Sequence, residues 1–180
     1  MERYSNPRVL LATSLGSFLP PFTSSVISFS VPEIGHVLRA SFVVVVWVPL
    51  AYLIALPSLM ILIGKLSDIF GRARFYLIGL SIFATGGFLA AESVTIAFLV
   101  FSSLVMGVGG SFLSVNSTAI VSSVYPPESK GGALGINAMS VYLGLTSGPL
   151  LSGVFVEFLG WRWSLTPLRG NRQWRRLRAR

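Results

Sequence analysis

The sequence predicts an all-α integral membrane protein with about five transmembrane helices, on three observations. Of 180 residues, 53% are hydrophobic and only 11% charged, whereas a soluble domain covers its surface with roughly 25% charge. Apolar runs of about 20 residues recur, each long enough to cross a hydrocarbon core of ~30 Å. Between two of them lies a short charged stretch with glycine at both ends, suited to turning one span tightly into the next.

The first run, 9–31, follows Arg3 and Arg8. A signal peptide shares that charge order, but its apolar core is roughly 7–15 residues. This run is longer and ends at Pro32-Glu33, so a retained span is expected, with His36 in a polar loop. The second run, 42–63, contains Pro49 and Pro57, which membrane helices tolerate. The third, 75–91, is closed by Glu92. The fourth, 94–115, continues as a more polar helix towards Tyr125, where Pro126-Pro127-Glu128 breaks it. The fifth, 133–158, is about 39 Å long at the helical rise, enough to span with tilt.

Charge distribution separates this chain from a nucleic-acid binder. The formal net charge is +8, but Arg169, Arg172, Arg175, Arg176, Arg178 and Arg180 carry most of it; eight bases and six acids up to Trp163 leave +2 there. Basic residues in short loops orient a bundle. With the N-terminus inside, Arg3, Arg8, Lys65, Arg72, Arg74 and Lys130 are cytoplasmic, against Arg39 and Arg162 outside. Five spans would put the arginine tail outside, at about 2.3 kcal/mol per charge against 100 mV. Leu165, Leu168, Trp174 and Leu177 are too sparse for a sixth span. Residues 1–163 are therefore expected to form a partial N-terminal transmembrane domain. The basic tail, 164–180, is expected to be foreign to the fold.

Two motifs carry the functional signal. In the charged stretch 64–74, Gly64 permits close packing, Gly71 permits the turn, and Arg72 lies one helical turn after Asp68 for pairing. Asp68 could also cap a neighbouring helix N-terminus. Gly64, Leu66, Ser67, Asp68, Gly71 and Arg72 resemble the signature between the second and third spans of the major facilitator superfamily. Ile69 replaces the usual base, and Arg74 falls one place off a second basic position. In the fifth run, Gly135, Gly144, Gly148-Pro149 and Ser152-Gly153 are spaced to form a groove for a neighbouring helix, with a proline to kink it. They resemble the antiporter signature of drug-exporting members, with serine in place of one final glycine. Trp47 with Ala51-Tyr52-Leu53, Tyr125-Pro126-Pro127 with Lys130-Gly131, and Leu159-Gly160-Trp161-Arg162-Trp163 are similar to the flanks of the same spans. Trp161 and Trp163 read as interfacial anchors.

The resemblance implies an incomplete N-terminal half of a major facilitator fold, working by alternating access between two six-span halves. It implies secondary active export of drugs or other amphipathic small molecules, proton-coupled in the intact relative, from the plasma membrane. The expected partners are the lipid bilayer, a small-molecule substrate in the intact relative and the missing C-terminal half; no nucleic acid and no cofactor are expected. The departures bear on coupling. Thr23 stands where such exporters often carry aspartate, with Ser25 where threonine is usual. Ser103-Leu104-Val105-Met106-Gly107 lacks the arginine and glutamine of a fourth-span pattern. No Asp, Glu, Lys or Arg lies in the middle of any span, and such charges are the usual proton carriers.

The hydroxyls within the spans are expected to bond their own helix backbones. Asn116 and Asn137 are the better candidates for a cavity. Gly107-Val108-Gly109-Gly110 lies within an apolar run, where close packing accounts for it better than phosphate binding. A phosphate loop with lysine, paired catalytic carboxylates and a His–Ser–acid set are all lacking, so an enzyme is not expected. With no cysteine and one histidine, neither a thiolate nor a histidine metal site can form. Three readings of the chain stay open: an inactive truncated or frameshifted product, a half-transporter that pairs with another subunit, and a membrane interaction protein whose arginine tail binds anionic headgroups.

Overall fold

A computed structural model describes the backbone of residues 7–158 and the side-chain environments of residues 7–150. All its regular structure is helical: α1 (Pro7–Leu38), α2 (Phe42–Val45), α3 (Trp47–Phe70), α4 (Arg72–Ala91), α5 (Ile96–Val124) and α6 (Pro127–Phe158). Four stretches among the described residues are long and apolar enough to cross a membrane: α1, α2 with α3, α4, and α5. The fifth expected span lies on α6, which has 32 residues like α1 but is interrupted by glycine, serine and Pro149.

The helices outrun the apolar runs at several ends. Helix α1 continues through Pro32, Glu33 and His36, so His36 lies in the last helical turn and not in a loop. It stops where Arg39 adopts φ 49°. Arg39 N–H then donates to the His36 carbonyl and Ala40 N–H to the Gly35 carbonyl, a Schellman closure that satisfies the last carbonyls. Helix α3 likewise runs through Lys65, Leu66, Ser67 and Asp68 to Phe70, and α4 begins at Arg72. The expected charged loop is thus two helix ends joined by a single residue, Gly71. At the start of α5 the Thr95 hydroxyl accepts from Phe98 N–H. Pro127 opens α6 at the first helical position, where its missing N–H costs nothing.

Helix α5 is the central strut, touching α1, α3, α4 and α6, while α1 packs along α6. Close approach explains the glycines of α5. A Cβ at Gly107 would lie 2.7 Å from the Tyr52 carbonyl oxygen of α3, and one at Gly109 would strike the Phe83 backbone of α4. Tyr52, fully buried, donates its hydroxyl to the Pro20 carbonyl at 2.8 Å and ties α3 to α1. The main apolar core joins Ile27, Val31 and Ile34 of α1 to Val48 and Tyr52 of α3, Phe83 of α4, and Leu99, Met106 and Leu113 of α5. Many large apolar side chains point outward, among them Leu11, Ile61, Ile69, Leu77 and Leu150, as a lipid-facing surface does.

Candidate functional site

The corner between α3 and α4 is built around Gly71, at φ 102° and ψ 121°. A side chain there would be strained, and only glycine reverses the chain in one step. Its N–H closes α3 on the Ser67 carbonyl at 3.0 Å. That reversal sets Arg72 over Asp68: Arg72 Nε donates to Asp68 Oδ1 at 2.9 Å, and Nη2 lies 2.9 Å from the same oxygen. Arg72 Nη1 donates to the Ala119 carbonyl of α5 at 2.7 Å, so one guanidinium fork ties together three helices. Among the described residues, the Asp68 carboxylate bonds Arg72 and caps no helix. Gly64 is less constrained than its place in the motif suggests. An added Cβ would meet only Val115 Cγ1, at 3.6 Å.

The seam between α1 and α6 contains the second motif. A Cβ on Gly144 would lie 2.6 Å from the Phe18 carbonyl oxygen and 3.1 Å from Phe22 N, and one on Gly148 would collide with Ser25. Gly135 meets nothing within 4 Å, and Gly153 lies outside the residues whose environments are described. Pro149 lacks the N–H that would bond the Leu145 carbonyl one turn back. The Ser25 hydroxyl of α1 donates to that carbonyl at 3.1 Å. Gly148 therefore makes room for Ser25, and Ser25 bonds the carbonyl that Pro149 leaves without its helical donor. The sequence held half of this: counting back four residues from Pro149 names the orphaned acceptor, but no spacing says which helix supplies its donor.

The polar residues mostly do what membrane hydroxyls do. Ser28, Ser102, Ser103, Ser140 and Thr146 donate to carbonyls of their own helices. Thr23 is buried on α1. Asn116 and Asn137 do not line an open wall: they are 0% and 3% exposed, enclosed by helices. Asn116 Nδ2 donates to the Phe112 carbonyl at 2.8 Å, and Asn137 Nδ2 to Thr118 Oγ1 at 3.3 Å. Tyr76, not singled out by any motif, donates to the Ala12 carbonyl at 2.6 Å and ties α4 to α1. Among the described residues no three His, Cys, Asp or Glu side chains cluster to hold a metal.

Fold and seams together define a helical integral membrane protein whose helices approach at backbone distance through small residues, as transporter bundles do. The chain belongs to the Major Facilitator Superfamily, which it matches over residues 13–166. It is 33% identical to the riboflavin transporter RibZ of Clostridioides difficile over 153 residues, 85% of this chain and 34% of that protein. It is 32% identical to the multidrug resistance protein Stp of Mycobacterium tuberculosis, over 85% of this chain and 29% of that one. Multidrug resistance protein 3 of Bacillus subtilis is 30% identical, over 90% of this chain and 31% of its own length. The chain thus spans about a third of the length of these curated relatives. In three dimensions it superposes on the bacterial homologue of the human lysosomal transporter Spinster, in its inward-facing, unoccupied conformation. The TM-score is 0.74 at 20% identity, covering 91% of this chain and 36% of that one; this likeness concerns the fold.

Proposed function

We propose that this chain supplies the first five spans of a secondary exporter for drugs or other amphipathic small molecules. Its N-terminus faces the cytoplasm of a plasma membrane, and transport proceeds by alternating access. The observation that carries this reading is the α1–α6 seam, where Gly144, Gly148 and Pro149 of the antiporter-type motif meet the backbone of α1 and Ser25. Such a seam, closely packed yet with a helical hydrogen bond removed, suits two helices that must stay in register while one bends. Named relatives that resist drugs support the export reading.

Proton coupling, if the whole transporter uses it, is carried outside these spans, since none has an Asp, Glu, Lys or Arg at mid-length. That same neutrality favours a second reading of the substrate, an uncharged molecule, as the name of the riboflavin-transporting relative suggests.

A chimera tests both. Residues 1–163 replace the matching segment of the Bacillus subtilis multidrug resistance protein 3, in a host stripped of its own exporters. The expected result is energised efflux of a fluorescent cationic dye, abolished by Gly148→Val. A chimera that reaches the membrane and moves riboflavin but not dye would assign the neutral substrate; one that moves neither would overturn the transport reading.

A further inference from the structure

Helix α1 loses backbone bonds between Gly16 and Pro21. Pro20 and Pro21 stand inside it and lack the N–H groups that would bond the Gly16 and Ser17 carbonyls one turn back. On the preceding turn Tyr76 of α4 reaches into the helix. Its hydroxyl donates to the Ala12 carbonyl at 2.6 Å, and the Gly16 N–H meets the same oxygen. In an unbroken helix those two backbone groups bond each other. A side chain set into the ladder and a proline are both established causes of helix bending, and α1 has them on adjacent turns.

The partners of α1 at this level are rigid by comparison. Helices α4 and α5 lie backbone to backbone: a Cβ at Gly79 would strike Phe112, and one at Gly86 would lie 2.7 Å from Met106 N. Phe75 of α4 stacks on Phe112 of α5 with ring centroids 5.6 Å apart, and Arg72 bonds the Ala119 carbonyl. Tyr76 and Ser117 therefore belong to one packed pair of helices, and a bend in α1 leaves their spacing unchanged. Their oxygens flank a single point beside Gly16, 2.7 Å from Tyr76 Oη and 2.6 Å from Ser117 Oγ. A swing of the phenol with a change of the Ser117 rotamer can close that gap. Ser117 is 0% exposed, and its hydroxyl has no hydrogen-bond partner. Ser102, Ser103 and Ser111 of the same helix each donate to a carbonyl of that helix, as membrane serines commonly do. Ser117 departs from that habit beside a second hydroxyl.

We propose that Tyr76 is a latch with two positions: it holds α1 by the Ala12 carbonyl in this structure, and it bonds Ser117 when α1 bends away about Gly16–Pro21. Ser117 is the reserve partner. Both are positioning residues, because they act through α1. The exchange keeps the Tyr76 hydroxyl bonded in both arrangements, which lowers the cost of releasing α1. The latch needs only these helix contacts and holds whatever the bundle carries.

The chain has no cysteine, so spin labels at Leu11→Cys and Leu77→Cys, both exposed positions, report the separation of α1 from α4. The measurement is electron–electron double resonance on the full chain in nanodiscs. Two separations are expected, the longer one minor. Ser117→Ala removes a bond made only in the released state, so the ratio of longer to shorter separation falls about threefold to fifteenfold, the range of a neutral interhelical bond. The melting temperature stays put or rises, because that hydroxyl is unpaired while α1 is held. Ser117→Thr, which keeps a hydroxyl, restores the ratio. In a Tyr76→Phe background Ser117→Ala changes nothing. A ratio that Ser117→Ala leaves alone or raises overturns the latch, as a merely packed serine would do. So does an equal fall in the Tyr76→Phe background, which would give Ser117 another partner. The labelled chain without further change already overturns it by showing one separation, so the test survives a variant that does not fold.

Discussion

The α3–α4 corner and the α1–α6 seam are both signature stretches, and they hold helices together by opposite means. At the corner, one glycine at positive φ lets a charged side chain reach two neighbours: Arg72 spans Asp68 and the Ala119 carbonyl. Side chains there are only partly covered, with Asp68 59% and Arg72 35% exposed. Charge is affordable where water can still reach it. On the seam, the facing stretches Phe18 to Ser25 of α1 and Gly144 to Pro149 of α6 carry no charged residue. Gly144 and Gly148 remove side chains so that backbones touch, and a hydroxyl replaces the helical bond that Pro149 cannot make. Inside a membrane, van der Waals packing and neutral hydrogen bonds are what remains for joining helices.

That contrast can be broken experimentally, beginning where the largest effect is expected. Gly148→Val drives two methyl groups into Ser25 and the Phe22 carbonyl, and overpacking of this kind costs about 1–3 kcal/mol or more. The chain should show a lowered melting temperature in nanodiscs, and the chimera should lose dye efflux. Arg72→Ala removes a charge-assisted bond to Ala119 as well as the Asp68 pair, at about 1.5–3 kcal/mol. Asp68→Asn, which spares the Ala119 bond, should cost no more than about 1 kcal/mol. If those two variants melt together, the carbonyl bond is not what holds the corner.

Gly71→Ala forces a side chain into a sparsely populated backbone region, at about 1–3 kcal/mol. Thermal unfolding compared with Gly64→Ala checks it, because Gly64 has room for a Cβ and should move stability by no more than about 0.5 kcal/mol. Ser25→Ala should cost about 0.6–1.7 kcal/mol, the range of interhelical bonds in membranes. Its partner variant sharpens the test: Pro149→Ala restores the backbone donor to the Leu145 carbonyl, so Ser25→Ala should matter less in that background. Additive losses in the double-mutant cycle would show that Ser25 does not compensate for the proline. Gly135→Ala is expected to be the mildest change, or slightly stabilising, because it meets open space and alanine favours the helix.

Particular elements show how far the sequence could be read. The existence and order of the long helices followed from runs of apolar residues, since only a helix satisfies its own backbone in lipid. Their ends did not, because helices extend into the headgroup region wherever residues permit. Pro32, Glu33 and His36 stay helical, and the charged stretch 64–74 is two helix ends with Gly71 between them. Within the motifs, spacing named glycines without ranking them. Gly144 and Gly148 face α1 at backbone distance, whereas Gly64 and Gly135 have space, and only the neighbouring helix makes that distinction. Asn116 and Asn137 show the same limit: polar character within a span marks an interior position but not whether it lines a cavity or a closed helix interface.

The sequence by itself determined that this chain is a helical membrane protein of the major facilitator kind. Hydrophobic length, turn glycines and small-residue spacing are local properties, written residue by residue. Only the tertiary structure decided which helix meets which small-residue face, which carbonyl receives the Arg72 fork, and which hydroxyl bonds the carbonyl that Pro149 leaves behind. Those are contacts between residues 47 and 120 positions apart in the chain. They depend on the register and rotation of whole helices, which no short stretch of sequence encodes.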